Sequence, residues 1–377
     1  MKKKILSVIL IFTMILSSVS VASALNFEKN NYEMDALQNV VTILDKMPEL
    51  DGVIGDVSET AETFTYEAED IEMIIPKTGD DFIETYFDSN QSKIGMQLPE
   101  EVSNSEAAMT SNGTVVFTSD CENVDVLVQM LEDEQGGFVF SGIRAMMLIK
   151  DITAPTRYDF TFELPEGASL ITSDAYKKTY YPNDNDWIGD NLVFVIDKEG
   201  EILSTIDEAW AKDANGELVK TFYEINGNVL TQVVNFSAEN AFPIIADPTN
   251  TGIKTKVETL SVDNKQESLR NLIQARREVN ERQNNSLESV ISLINSVFGL
   301  FNIVTGIFSM AISGVVGGNA AFLEKCEDTY TRIYEGLTSN EFKDAEIYFT
   351  YRGSYQGKNK GYAYRIQDIT NNRVEIA

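Results

Sequence analysis

The sequence predicts an α+β chain: an antiparallel, sandwich-like all-β module, followed by a mainly helical domain that ends in a β-hairpin. Three observations lead there. Short runs of β-branched and aromatic residues, broken by glycine turns, fill residues 61–248. Apolar stripes at helical spacing take over in residues 257–377. Charge changes at the same place: residues 25–250 hold 44 Asp/Glu against 12 Lys/Arg, a net of −32, whereas residues 251–377 hold 15 of each.

Residues 1–24 read as a secretory signal peptide. Lys2, Lys3 and Lys4 form a positive start, residues 5–15 an apolar stretch, and Ala22-Ser23-Ala24 a small-residue cleavage site. The mature chain is therefore expected to begin at Leu25 and to work outside the cell. Leu25, not a cysteine, stands directly after the cleavage site, and residues 371–377 are polar, so neither a lipoprotein signal nor a wall-sorting tail is indicated. Within residues 25–60, Leu37, Val40, Val41, Ile43 and Leu44 predict a short helical segment.

In the acidic module, residues 64–66, 71–75, 93–98, 114–118, 138–140, 146–149, 158–164, 192–196 and 202–206 have strand texture. Asn112-Gly113, Gly136-Gly137, Asn215-Gly216 and Asn226-Gly227 supply the turns between them. One helix is expected among the strands, over residues 124–131. Such a net negative charge argues against nucleic acid as a partner, because phosphate binding needs Lys and Arg. The chain has no histidine. That removes Ser-His-Asp and Cys-His catalysis and His-ligated zinc. A carboxylate-only glycan hydrolase survives as a minor alternative. The expectation is a non-enzyme without cofactors.

Four segments occur in order near the end of this module: Ala209-Trp210-Ala211-Lys212-Asp213-Ala214-Asn215-Gly216, Tyr223-Glu224-Ile225-Asn226-Gly227-Asn228, Leu230-Thr231-Gln232-Val233-Val234 and Phe242-Pro243-Ile244-Ile245-Ala246-Asp247-Pro248. Tyr158-Asp159-Phe160 and Leu164-Pro165-Glu166-Gly167-Ala168 precede them. Together they resemble a β-rich module of secreted Gram-positive proteins, many of them actinobacterial, over roughly residues 60–248. The resemblance implies a β-rich fold followed by a variable, often apolar and helical region. It implies no catalytic residue. The chain departs from the pattern over residues 173–190, where the connection is longer.

That connection carries Asp184, Asp186 and Asp190, a weak candidate for calcium, which takes six to eight oxygen ligands. The EF-hand pattern fails because Ile188 stands where an oxygen is needed, and a solvated turn is the competing reading. Trp210 reads as a core anchor or as part of a pocket. Cys121 and Cys326 have no metal-type spacing. They form either one disulfide or two independent buried thiols.

Residues 249–256 read as a linker open to proteolysis at Lys254 and Lys256. An amphipathic basic helix follows, with Leu269, Leu272, Ile273, Ala275 and Val279 on one side and Arg270, Arg276, Arg277 and Arg282 on the other. Residues 289–323 hold no charged side chain and predict one apolar helix with a small-residue face. The run is long enough to span a membrane, but its basic flank would lie outside, against the usual orientation. A helix buried in a folded core and a segment entering a target membrane from outside both remain open. A hairpin from strands at 345–351 and 362–366 closes the chain, its loop carrying Arg352, Lys358 and Lys360. These three residues, with Arg276, Arg277, Phe298, Phe301 and Phe308, are the candidates for contact with a membrane or a cell-wall polymer.

Two functions are expected from this order of parts. In the first, the acidic module carries or shields a membrane-active, bacteriocin- or toxin-like C-terminal domain. In the second, the chain is a cell-envelope structural or adhesion protein with the apolar helix buried.

Overall fold

Period-two alternation builds the first sheet, because successive side chains of a strand point to opposite faces. The computed structural model describes residues 57–375, apart from 69–70, 88–91, 120–122, 136–137, 184, 283–285, 304–310 and 358–359. Expectations for the signal peptide, for nearly all of residues 25–60, and for Cys121, Asp184, Phe308 and Lys358 lie outside the described residues.

The chain opens with an antiparallel meander of β1 (Val57–Glu59), β2 (Thr63–Ala68), β3 (Ile71–Pro76), β4 (Ile83–Phe87) and β5 (Ser92–Gln97). Ile71, Met73 and Ile75 of β3 and Ile83 and Phe87 of β4 are all buried. A second meander follows: β6 (Ala107–Met109), β7 (Val115–Thr118), β8 (Val124–Gln135) and β9 (Phe138–Ile149). The chain returns to the first sheet with β10 (Arg157–Glu163), then adds β11 (Ser169–Thr172), helix α1 (Ser173–Tyr180), β12 (Val193–Ile196) and β13 (Ile202–Ile206) to the second. β14 (Trp210–Lys212), β15 (Lys220–Asn226), β16 (Val229–Asn235), β17 (Ile244–Asp247) and β18 (Thr249–Gly252) complete the module.

The first sheet has the order β1-β2-β3-β4-β5-β10-β16-β15, and the second β11-β12-β13-β18-β9-β8-β7-β6. β9 shares one edge between two partners. Residues 147–149 pair with β17 and residues 142–144 with β18. Both sheets contribute to one core, in which Phe64, Met73 and Phe160 of the first meet Val126, Val128 and Met147 of the second. The strand-rich, antiparallel character expected from the sequence is present throughout these strands.

The helix expected over residues 124–131 is instead part of β8. Val124, Leu127, Val128 and Leu131 mimic helical spacing because both faces of this central strand are covered. Val124, Val126, Val128 and Met130 face the sandwich core. Leu127 belongs to a second cluster with Val116, Met146, Leu148 and Ile245, against which Trp210 packs. Two-sided burial erases the apolar–polar alternation that marks a strand.

The C-terminal unit contains β19 (Lys254–Asp263), α2 (Gln266–Glu281), α3 (Leu287–Leu300), β20 (Ala311–Val315), α4 (Asn319–Thr338), β21 (Phe342–Tyr355) and β22 (Tyr362–Glu375). Its sheet runs β19-β21-β22-β20, with β20 parallel to β22 and the other pairs antiparallel. The three helices bury Leu272, Phe298, Tyr330 and Ile333 against Ile347, Phe349, Tyr351 and Ile366 of the sheet. The unit is therefore a helix-on-sheet layer rather than a mainly helical domain.

Two further expectations are corrected. Residues 249–256 are not a loose linker: β18 lies within the second sheet, and β19 begins the third after Ile253 alone. The apolar run is not one helix. α3 starts at Ser286, whose side chain caps Ser289 N–H, and stops before Asn302, which takes a left-handed φ of 57°. An Asn there terminates a helix in the way glycine does. β20 and a turn at Gly317 and Gly318 (φ 76° and 91°) follow before α4. Among the described residues no helix is long and apolar enough to cross a membrane.

Cys326 on α4 is a free thiol, fully buried beside Tyr330. Burial pushes its pKa up to about 12, so almost no thiolate is present at neutral pH. Alkylation is expected to miss Cys326 in the native chain and to label it in denaturant without reductant. A label that appears only after reduction would establish a disulfide instead.

Candidate functional site

The tip of the β21–β22 hairpin docks on the acidic module and makes a polar joint. Thr205 Oγ1 donates to the Tyr355 carbonyl at 3.0 Å, and Arg352 Nη2 donates to the Ile202 carbonyl at 3.3 Å. Arg365 pairs with Glu201, and Lys360 Nζ donates to the Asp186 carbonyl. Gly189 N–H donates to Gln356 Oε1 at 3.3 Å. Gly189 is required by this approach, since a Cβ there would lie 2.2 Å from the Gln356 carbonyl oxygen.

Beside the joint opens a cleft of about 840 Å³, lined from the module by Arg144, Asp207, Glu208, Trp210, Lys212 and Lys220, and from the hairpin by Gln356, Gly357 and Lys360. Each wall has a local cause. Asp213 accepts N–H groups from Asn215 (2.9 Å), Glu217 (3.0 Å) and Ala241 (3.1 Å). These bonds, that from Ala241 first, hold its carboxyl below the usual carboxylate range. They fix the turn through Gly216 (φ 80°), so that Lys212 bridges back to Leu218 and the Trp210–Lys212 strand faces the cleft. Gln232 Nε2 reaches the Trp210 carbonyl at 3.3 Å and Thr221 Oγ1 at 3.1 Å, securing the strand from behind.

The floor is a buried ion pair. β18 pairs with β9 so that Thr249 stands opposite Arg144. Arg144 Nε then lies 3.2 Å from Asp247 Oδ2, which also accepts Thr249 Oγ1–H at 2.6 Å. Asp247 is 1 % exposed. The Tyr223 hydroxyl donates to the Asp247 carbonyl at 3.0 Å, and burial, then the Asp247 and Asp207 charges, push its pKa well up.

The structure scatters the sequence-derived candidates. Asp190 lines the cleft but is ion-paired with Lys177, and Asp186 offers Lys360 its backbone carbonyl. Among the described residues no group of three or more carboxylate, thiol or imidazole side chains is placed to hold a metal ion. Phe298 is 1 % exposed with its ring centroid 5.0 Å from that of Phe349, and Phe301 packs partly buried against the same core. Neither is presented for membrane contact in this fold. Arg276 lies over the Tyr334 ring at 5.9 Å, while Arg277 is exposed. Arg352 and Lys360 are committed to the joint, so the described part of the hairpin loop is docked.

Trp210 serves both readings given to it, packing on the outer cluster and lining the cleft. Arg144, Asp207, Asp247 and Gln356 were not anticipated. They come together from positions spread between 144 and 356 in the sequence, and only the Asp247-Pro248 end of the resemblance motif pointed near them. Comparison with protein-family models yields no match, and no curated protein matches the chain.

Proposed function

We propose that the chain is a secreted, non-enzymatic envelope protein whose acidic sandwich and C-terminal α+β unit act as one body. The joint carries this reading: Arg365–Glu201, Arg352–Ile202, Thr205–Tyr355 and Gly189–Gln356 tie the hairpin to the sandwich, and one residue separates β18 from β19. A one-residue tether and these directional bonds would restrict the relative motion that a polar inter-unit interface otherwise permits. The absence of histidine supports a binding or structural role over catalysis.

The mature chain is expected to unfold in one calorimetric transition. Arg365→Glu, which sets a like charge against Glu201, should split that transition in two while both units keep their secondary structure. Two well-separated transitions in the unmodified protein would remove this reading.

A second reading, the shielded membrane-active domain, is favoured by one observation. Residues 289–323 carry no charge, and Val316 within them is 38 % exposed. Anionic liposomes loaded with dye should stay sealed in the presence of the mature chain if the first reading holds. Release would move the proposal to the second.

A further inference from the structure

We infer that the joint binds a single halide ion, chloride, held between the two units. A cavity of about 20 Å³ lies where they meet, and Trp187, Glu201, Ile202, Arg352, Ser354 and Arg365 are among its lining. A space of that size holds one occupant about as large as a water molecule. Trp187 Nε1, from the acidic module, and Arg365 Nε, from the hairpin, belong to this lining. Both are closed off from solvent and have no hydrogen-bond partner among the described residues. Buried donors left without an acceptor are costly, so this pair calls for one.

The acceptors around the cavity already have donors. The Ile202 carbonyl takes Arg352 Nη2 at 3.3 Å, Glu201 Oε1 takes Arg365 Nη1, and Ser354 Oγ takes Gln356 Nε2 at 2.9 Å. A hydroxyl donates as well as accepts, so Ser354 adds a third donor to the indole and guanidinium N–H groups. A water molecule would bring two more O–H donors into this setting, whereas a halide accepts several bonds and donates none. Ile202 and Ile253 make part of the wall apolar, which suits weakly hydrated chloride or bromide better than fluoride. Two guanidinium groups and one carboxylate line the cavity, so the site does not share the acidity of a chain whose formal net charge is −29.

This inference rests on the joined-body reading and deepens it, because the two donors come from different units and meet only when the hairpin is docked. A ligand that binds the closed joint and not the open one stabilises closure by linkage. The test is calorimetric unfolding of the mature full-length chain at constant ionic strength, with gluconate, too large for the cavity, exchanged for chloride or bromide. Above saturation the midpoint is expected to rise by about 2 °C for each tenfold increase in halide. General salt action favours strongly hydrated, excluded ions, so stabilisation by bromide over gluconate runs against it.

Trp187→Phe removes the indole donor and keeps an aromatic ring against Tyr181, whose ring centroid lies 4.9 Å away. Arg365→Lys keeps the charge opposite Glu201 and removes the Nε donor. Each variant should flatten the halide dependence. Crystals grown in bromide should show one anomalous peak in contact with Trp187 Nε1 and Arg365 Nε. A midpoint indifferent to halide, a dependence undiminished in both variants, or a joint without the bromide peak would each overturn the inference. A single transition indifferent to halide leaves the joined-body function standing, whereas two well-separated transitions in the unmodified chain remove both.

Discussion

An Asp247→Ala chain is expected to be less stable by about 3–5 kcal/mol, the usual cost of removing one partner from a buried ion pair. The carboxylate is 1 % exposed, contacts Arg144 Nε at 3.2 Å and accepts the Thr249 hydroxyl at 2.6 Å. Arg144 Nη1 is also closed off from solvent and has no hydrogen-bond partner among the described residues. Deleting Asp247 would leave a guanidinium under the cleft with its charge uncompensated. The denaturant midpoint should fall while the slope of the transition stays the same, as for a change in stability without a change in the surface exposed. An Arg144→Met, Asp247→Leu double substitution should recover most of the loss, since apolar pairs of similar volume replace buried ion pairs at little cost. A loss below about 1 kcal/mol for Asp247→Ala would mean that water from the cleft already solvates the guanidinium.

Phe298→Ala should destabilise the C-terminal unit by about 3–5 kcal/mol. The ring is 1 % exposed and lies 5.0 Å from that of Phe349, at the centre of a core built from all three helices and the sheet. Truncation removes the ring's transfer energy and leaves a cavity that rigid neighbours cannot fill. Val316→Ser, at a position 38 % exposed, should stay within about 0.5 kcal/mol of the parent. Chemical denaturation monitored by far-ultraviolet circular dichroism separates the two cases. A small effect at Phe298 would detach α3 from the native core and strengthen the membrane-entry reading.

Where the local pattern was strong, sequence and structure agree. β3, with Ile71, Met73 and Ile75, follows from alternation, whereas β12 and β13, buried throughout, follow from short β-branched runs joined at a turn through Gly200 (φ 83°). β8 does not, because Leu127 on its outer face is buried as deeply as Val126 and Val128 on its inner face. The uncharged run misled for a related reason. Its small and polar residues suggested one helical face, yet Asn302 and Gly317-Gly318 act as stops, and α4 begins inside the same run. Absence of charge reports burial, not the kind of element buried. For the cleft, the sequence marked Trp210 and Lys212 through one motif. The partners Arg144 and Gln356 carry no local signal, since the register of β18 on β9 and the docking of the hairpin bring them in.

The placement of β18 has a mechanical consequence. This strand is hydrogen-bonded on both sides, to β13 and to β9, and it passes through Ile253 straight into β19. A tension applied at the C-terminal unit is therefore delivered along β18, parallel to its neighbours. Strands loaded in this direction share the pull across all their cross-strand bonds at once, whereas a hairpin peeled from its end gives way one bond at a time. Both units would stay attached under load, with the sandwich acting as the anchor and β18 as the cable.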